Sequence, residues 1–472
     1  MATGPSAEAI SDSELVYSPD TYVRGVPYEA LARLRRRAPL VWTEEPPVGP
    51  WPGGPGFWAV LRYADIRQVL RSPRVFSSQL GATQIRDPAT PADLRYVRRM
   101  MLNLDPPEHS RLRGLLAKAF TPRAVARLVE RIRRRAVALV DAVAERGEAD
   151  FAKEIAADLP LLTLADVFGV PESDRWLLFD WSNRVIGYQD AEYAVSAQFD
   201  AAGASAMARR AHGLRPAPGP DGRMPDPRTR AGMPDLYAYA HELGSYKRRN
   251  PGDDVMSVLM RQVDDAGGRV GVEEFENLFW LFSVAGNETL RNGLPGGMLA
   301  LLAHPDEYRR LLRDRALLPT AVEEMLRWWT PVMHFRRTAA SDTEVAGTPV
   351  RAGQKVVVWF SSGNRDGDAF AEPDRFDVGR RPNEHLAFGH GPHFCLGAHL
   401  AREQMRALFA ALLDRLGEVE LAGEPARLRS NFQNGVKRLP IRWNPGGAGA
   451  PAAPAAPHRS TDPALRVHLD PQ

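Results

Sequence analysis

Apolar residues recur at three- and four-residue spacing along most of the chain, the pattern of helices that bury one face. Such runs cover Tyr28 to Arg37, Tyr63 to Leu70, Pro122 to Arg146, Phe151 to Phe168, Glu172 to about Tyr188 and Asp254 to Gln262. Pro160 is expected to interrupt the fourth of them. The longest run, Glu273 to about Leu302, is apolar on most faces and reads as a buried helix, with a kink or early break expected at Pro295. Ala321 to Trp329 forms another helix, and Leu400, Met405, Leu408, Leu412 and Leu416 keep helical spacing near the end. Strand patterns are few: Phe57 to Leu61, two short strands around Gly347 and Gly353, and Lys355 to Phe360. The fold class is therefore mainly α, multihelical, with a small β-rich region. Two intervals resist the pattern. Ser72 to Met101 lacks clear periodicity, and 213–234 is too rich in proline, glycine and arginine to sustain a helix.

Composition narrows the class. Among 472 residues, 44% are hydrophobic and 25% charged, which suits a globular chain with a large core. No linker-like interval divides the middle, so the reading is a flexible leader over 1–18, a single domain over 19–443 and a disordered tail over 444–472. A net charge of +3 is small for this length. The clusters Arg35 to Arg37, Arg98 to Arg99 and Arg133 to Arg135 read as solvated helix faces, and no nucleic-acid partner is expected. No run approaches the ~18 to 20 apolar residues of a membrane span, and Met1 to Asp20 has no signal-like apolar core. One cysteine excludes an intramolecular disulfide; with no zinc-like spacing, a reducing cytoplasm is the expected location.

That cysteine carries the chemistry. Cys395 stands among Gly389, Gly391 and Gly397, just before or at a helix N-terminus. The helix dipole and free backbone N–H groups there favour a thiolate, although a lone cysteine can also be a small buried hydrophobe. Upstream, Asp105 is expected to cap a helix running to Phe120, with Pro106 and Pro107 in its first turn. His109 and Arg113, four apart, share a face and could grip one anion, or lie on a solvated surface. Midway along the apolar run comes Ala285-Gly286-Asn287-Glu288-Thr289. A buried acid and hydroxyl need partners; Glu288 either serves chemistry or pairs with Arg291 in a helix defect. Glu324 and Arg327, three apart, make a common pattern that is weak alone.

The run Phe388-Gly389-His390-Gly391-Pro392-His393-Phe394-Cys395-Leu396-Gly397 resembles the haem-binding loop of the cytochrome P-450 haem-thiolate monooxygenases, F-G-x-G-x-H-x-C-x-G, at every fixed position. The resemblance extends over about residues 20 to 443 and implies the cytochrome P-450 fold. It implies haem b with Cys395 as the iron ligand and Phe388 beside it. His109, Arg113, Arg337 and His393 would hold the propionates, and Ala285 and Gly286 would admit the flat macrocycle. Thr289 and Glu288 would serve dioxygen activation and proton delivery. Val284, Val332 and Met333 would line the substrate pocket, and Glu324, Arg327 and Arg375 would form a structural network. The interval 72–101 would be a mobile loop over that pocket, and 213–234 a lid loop longer than in most bacterial members. The implied partners are dioxygen, a small apolar substrate, and a ferredoxin with its ferredoxin reductase, with no membrane anchor and a monomeric state. Arg402 and Arg406 either contribute to docking the donor or are exposed helix charges. The substrate reads as a sterol, terpenoid or branched lipid; a polyketide- or macrolide-tailoring hydroxylase or epoxidase is the alternative within the family. Outside it, a cysteine-nucleophile hydrolase lacks a placed base, since His393 is two residues from Cys395 and no orienting Asn or Asp is identifiable. A haem sensor without turnover would not need Glu288 and Thr289.

Overall fold

Val356, Val357 and Val358 are all completely buried, as successive β-branched residues are when a strand is covered on both faces. Their strand, Lys355–Trp359, occupies the middle of a five-stranded sheet. It runs parallel to Phe57–Val60 and antiparallel to His334–Ala339; Leu40–Thr43 and Phe76–Ser77 form the edges. Lys355 enters this core with its charge matched by Glu45 (2.6 Å) and Asp87 (2.7 Å). The computed structural model describes residues 11–49, 51–120, 122–195, 202–262 and 267–445.

Beside the sheet, helices make up the body of the molecule. Ala398–Arg415 packs along Pro122–Asp141 and against Leu318–Trp329, which in turn packs on Glu288–Ala303. Val272–Ala285 lies between Arg175–Ile186 and Pro234–Arg249. The mainly helical architecture with a small β region is the one expected from the pattern, and among the described residues no helix is long and apolar enough to cross a membrane.

Several local expectations give way. Asp12–Tyr17, placed in the leader, is a helix capped by the Ser11 hydroxyl, and its Val16 is buried. These residues belong to the packed body; residues 1–10 and 446–472, the rest of the expected leader and nearly all of the expected tail, lie outside the described residues. The aperiodic interval contains a helix, Pro91–Val97, begun by Thr90 as cap. Between Phe151 and Phe168 the break precedes Pro160: a π turn at Phe151–Ile155 gives way to Asp158–Phe168, whose first turn accepts Pro160 because its missing N–H has no partner there. Asp105 is not a helix cap. The helix starts at Glu108, and Asp105 accepts from the Ser78 N–H (2.8 Å) and the Ser77 hydroxyl. Arg35 turns inward to Ser362 and the Arg365 carbonyl rather than facing water. The long apolar run is two helices separated at Gly286 and Asn287, while Pro295 sits inside the second. Tertiary packing holds that second helix: a Cβ on Gly296 would fall 2.1 Å from Trp329, so the helix is clamped against the indole next to the proline.

Candidate functional site

Gly389 and Gly391 adopt left-handed φ values of +70° and +71°, which side chains rarely tolerate. Gly391 also lies where any Cβ would strike the Leu70 carbonyl at 2.5 Å. These two positions turn the chain so that the Cys395 N–H donates to the Phe388 carbonyl at 2.9 Å, closing the loop. Helix Ala398–Arg415 begins three residues later. Cys395 is exposed, and desolvation by the protein around it pushes its thiol up, opposed by the Gly397 N–H and by Arg113 and Arg402. Those three groups stabilise negative charge on sulfur. The Phe388 ring stands under Arg402 (4.5 Å) and edge-on to Phe394 (6.2 Å). Arg402 is also held by both oxygens of Glu323 (2.7 and 2.8 Å), and Arg406 by Glu403 (3.0 Å). Arg402 is thus tied into the loop's support.

His109 and His393, far apart in sequence, meet with ring centroids 4.0 Å apart. Ser78 Oγ lies 3.3 Å from His393 Nε2. Burial lowers His109 to about 4 and His393 to about 2, with Arg113 and Arg337 adding repulsion to both. Arg337 is lowered to about 10 by burial, relieved by Asp105; one of its guanidinium nitrogens donates to the Arg336 carbonyl (2.9 Å). His109 Nδ1 is buried without a hydrogen-bond partner. Donor-rich groups crowded together at this cost fit a group that carries carboxylates, such as the two propionates of haem.

The helix break supplies the other wall. Val284, Ala285 and Thr289 line a cavity together with Val332 and Phe335. The Thr289 hydroxyl donates to the Ala285 carbonyl at 2.8 Å. Glu288 does not line that cavity. It is fully buried and accepts from Arg291 (3.0 Å), Ser182 (3.1 Å) and Tyr193 (2.8 Å), while Asn287 donates to the same Ser182 hydroxyl (2.7 Å). The pairing with Arg291 left open by the sequence is the observed one. Gly286 is closely packed: a Cβ there would come within 2.7 Å of Leu164. Met333 is fully buried among Phe57, Val357 and Trp359, off the cavity, whereas Val332 one residue earlier lines it. Alternation along an extended chain puts neighbours on opposite sides.

Glu324 and Arg327, both fully buried, form a two-pronged ion pair at 2.8 Å. Arg327 also donates to the carbonyls of Asn364, Pro373 and Arg375. The guanidinium that completes the network is Arg380, whose Nε reaches both Glu324 oxygens (3.2 and 3.1 Å). The Arg375 side chain instead pairs with Glu372 at the surface. Arg380 was missed because it lies in a stretch without periodicity, five residues from an equally plausible arginine. Ser182 and Tyr193 carry no sequence signal at all.

A family model described as Cytochrome P450 matches residues 244–436. A steroid C26-monooxygenase of Rhodococcus jostii is 36% identical over 92% of this chain and 85% of its own length. A methyl-branched lipid omega-hydroxylase of Mycobacterium tuberculosis is 39% identical over 88% of this chain and 90% of its own. Among solved structures, a Mycobacterium marinum cytochrome P450 in complex with pseudoionone matches with a TM-score of 0.77 and 36% identity, covering 94% of this chain and all of that one.

Proposed function

The chain belongs to the cytochrome P450 family of haem-thiolate monooxygenases, and from that premise we propose that Cys395 ligates the iron of haem b and that the cavity beside Thr289 receives a lipid-like substrate. Such an enzyme inserts one atom of dioxygen into an apolar substrate and draws its electrons from a redox partner. We take that partner to be a ferredoxin served by its reductase, and the enzyme to be a cytoplasmic monomer.

The observation that carries the assignment is the locked cysteine loop, in which a backbone hydrogen bond at Phe388 and two left-handed glycines present one sulfur beside a cluster of donors. Haem, when bound, supplies the dioxygen activation and the oxidising power, and a thiolate ligand favours O–O cleavage over reversible binding. The rest is done by side chains. His109, Arg113, Arg337 and His393 would hold the two propionates, which offsets the cost of burying so many donors. Gly397 N–H, Arg113 and Arg402 favour the thiolate against a burial that still leaves the free thiol raised, and the Phe388 ring, under Arg402, would stand beside the metal-bound sulfur.

Thr289 contributes a hydroxyl to an otherwise mostly apolar wall. Bound to the Ala285 carbonyl, it holds a proton at the helix break and can rotate to pass it to cavity water. Glu288 is a positioning residue: its contacts with Ser182, Tyr193 and Arg291 fix the break from behind. The apolar walls and the two lipid-oxidising relatives favour a sterol, terpenoid or branched lipid. Thr289→Ala should still give a substrate-induced Soret shift while diverting several-fold more reducing equivalents to peroxide; coupling equal to wild type removes Thr289 from this role.

A further inference from the structure

The cavity wall carries a buried charge that the oxygenase chemistry does not use. Arg228, from the proline- and glycine-rich 213–234 segment, lines the cavity and is 8% exposed. Its terminal nitrogens donate to the carbonyls of Arg86 (2.9 Å) and Asp87 (3.3 Å). Its Nε lies 3.5 Å from Asp226 Oδ1 and makes no hydrogen bond. Arg86 stacks on Trp51 (3.6 Å) and donates to the other oxygen of Asp226 (3.0 Å), and its own Nε is also buried without an acceptor. One carboxylate therefore serves two guanidinium groups. The neighbouring charges do not correct the excess, because Arg336 and Lys355 are already matched by Asp87 and Glu45. Burial and the repulsion of Arg228 together lower Arg86 below its ordinary value.

Another residue of the same lining carries an unpaired donor. Trp280 Nε1, on helix Val272–Ala285, is buried and unpartnered. The rest of the lining is mostly apolar, with Val97, Met100, Ile186, Leu281 and Phe335 among it, and its other polar members, such as Gln84, Asn103 and Thr289, are uncharged. A buried cationic pair one carboxylate short, with Arg228 on the wall of a mostly apolar cavity, is complementary to an anion on an apolar body.

We propose that the substrate is a long-chain carboxylic acid whose carboxylate is held by Arg228, with Arg86 behind it sharing Asp226 and adding the second positive charge, rather than a neutral sterol or terpenoid. This rests on the reading of the cavity as the substrate site and narrows it to acidic lipids.

The test uses the haem-loaded enzyme, titrated with palmitic acid, methyl palmitate and cholesterol, and reads both the Soret shift and the heat of binding. Palmitic acid should bind at least about tenfold tighter than its methyl ester, which corresponds to about 1.4 kcal/mol, and the advantage should shrink as salt is raised. Arg228→Gln and, separately, Arg86→Gln should each bring the acid-to-ester ratio to within about threefold. Arg228→Lys, which keeps the charge, should retain most of the preference. Equal affinity of wild type for acid and ester sinks the carboxylate proposal while leaving the cavity as a lipid site. An undiminished ratio in both glutamine variants, or binding of cholesterol alone, also overturns it. Absence of shift and heat with every ligand overturns the cavity reading along with it.

Discussion

Around Cys395 the chain leaves regular structure because of its immediate neighbours, whereas around Thr289 it does so because of residues far away. In the loop, Gly389 and Gly391 take left-handed φ angles and the Cys395 N–H closes on Phe388, seven residues back. At the break, Ser182 holds both Asn287 and Glu288, while Tyr193 and Arg291 hold Glu288. A locally determined turn can be read as a motif. A tertiary break can be read only as a tolerance, since its direction depends on partners from other helices.

The largest effects should come from the support of the loop. Arg380→Ala leaves Glu324 and Arg327 with an incomplete buried network and should cost about 3–5 kcal/mol in urea unfolding, whereas Arg375→Ala should stay within about 0.5 kcal/mol. The reverse order would return Arg375 to the network. At the break, Glu288→Leu strands the Arg291 guanidinium in the interior and should cost about 2–4 kcal/mol, with Glu288→Gln costing less because it still accepts from Ser182 and Tyr193. Equal losses would mean that the charge of Glu288, not its accepting oxygens, holds the break. Gly286→Ala should cost about 1–3 kcal/mol through Leu164, and Leu164→Ala should relieve part of that in a double-mutant cycle. Full additivity would show that the glycine is there for another neighbour.

The smallest effect concerns acid. Burial opposes the charge on Glu323, but hydrogen bonds from His385 and Arg402 outweigh it and lower its pKa from 4.5 to about 2. A depressed carboxylate lends stability that is fully present above the unfolded value of 4.5 and is lost as pH falls through about 2. Glu323→Gln should therefore flatten the stability profile between those limits and leave its slope near neutrality unchanged. An unaltered acid limb would disconnect Glu323 from the loop's electrostatics.

Much of the architecture was legible because it is periodic. Helix Tyr28–Arg37 has the bounds its pattern predicts, and Phe57–Val60 is one residue shorter than expected. At the site, the glycine frame singles out Cys395 and helical spacing joins His109 to Arg113, but the contact of His109 with His393, a residue only the resemblance pointed to, is made by the fold. What escaped was decided elsewhere. Pro295 signals a break, yet Trp329 holds that helix together while Gly286 and Asn287 part it. Arg375 and Arg380 stand in the same irregular stretch, and only the turn of the backbone selects which guanidinium reaches Glu324. Met333 and Val332 differ by one position, enough to send one into the core and the other to the cavity.

The central claim is that one sulfur, Cys395, sets the reactivity of the site. The most direct measurement is the Soret spectrum of the reduced, haem-loaded protein under carbon monoxide, compared with Cys395→His. The wild type should show the strongly red-shifted band of a thiolate-ligated haem and the variant should lose it while still retaining haem through His109, Arg113, Arg337 and His393. An unshifted band in the wild type, or the same red shift in both proteins, would contradict the assignment of Cys395 as the iron ligand.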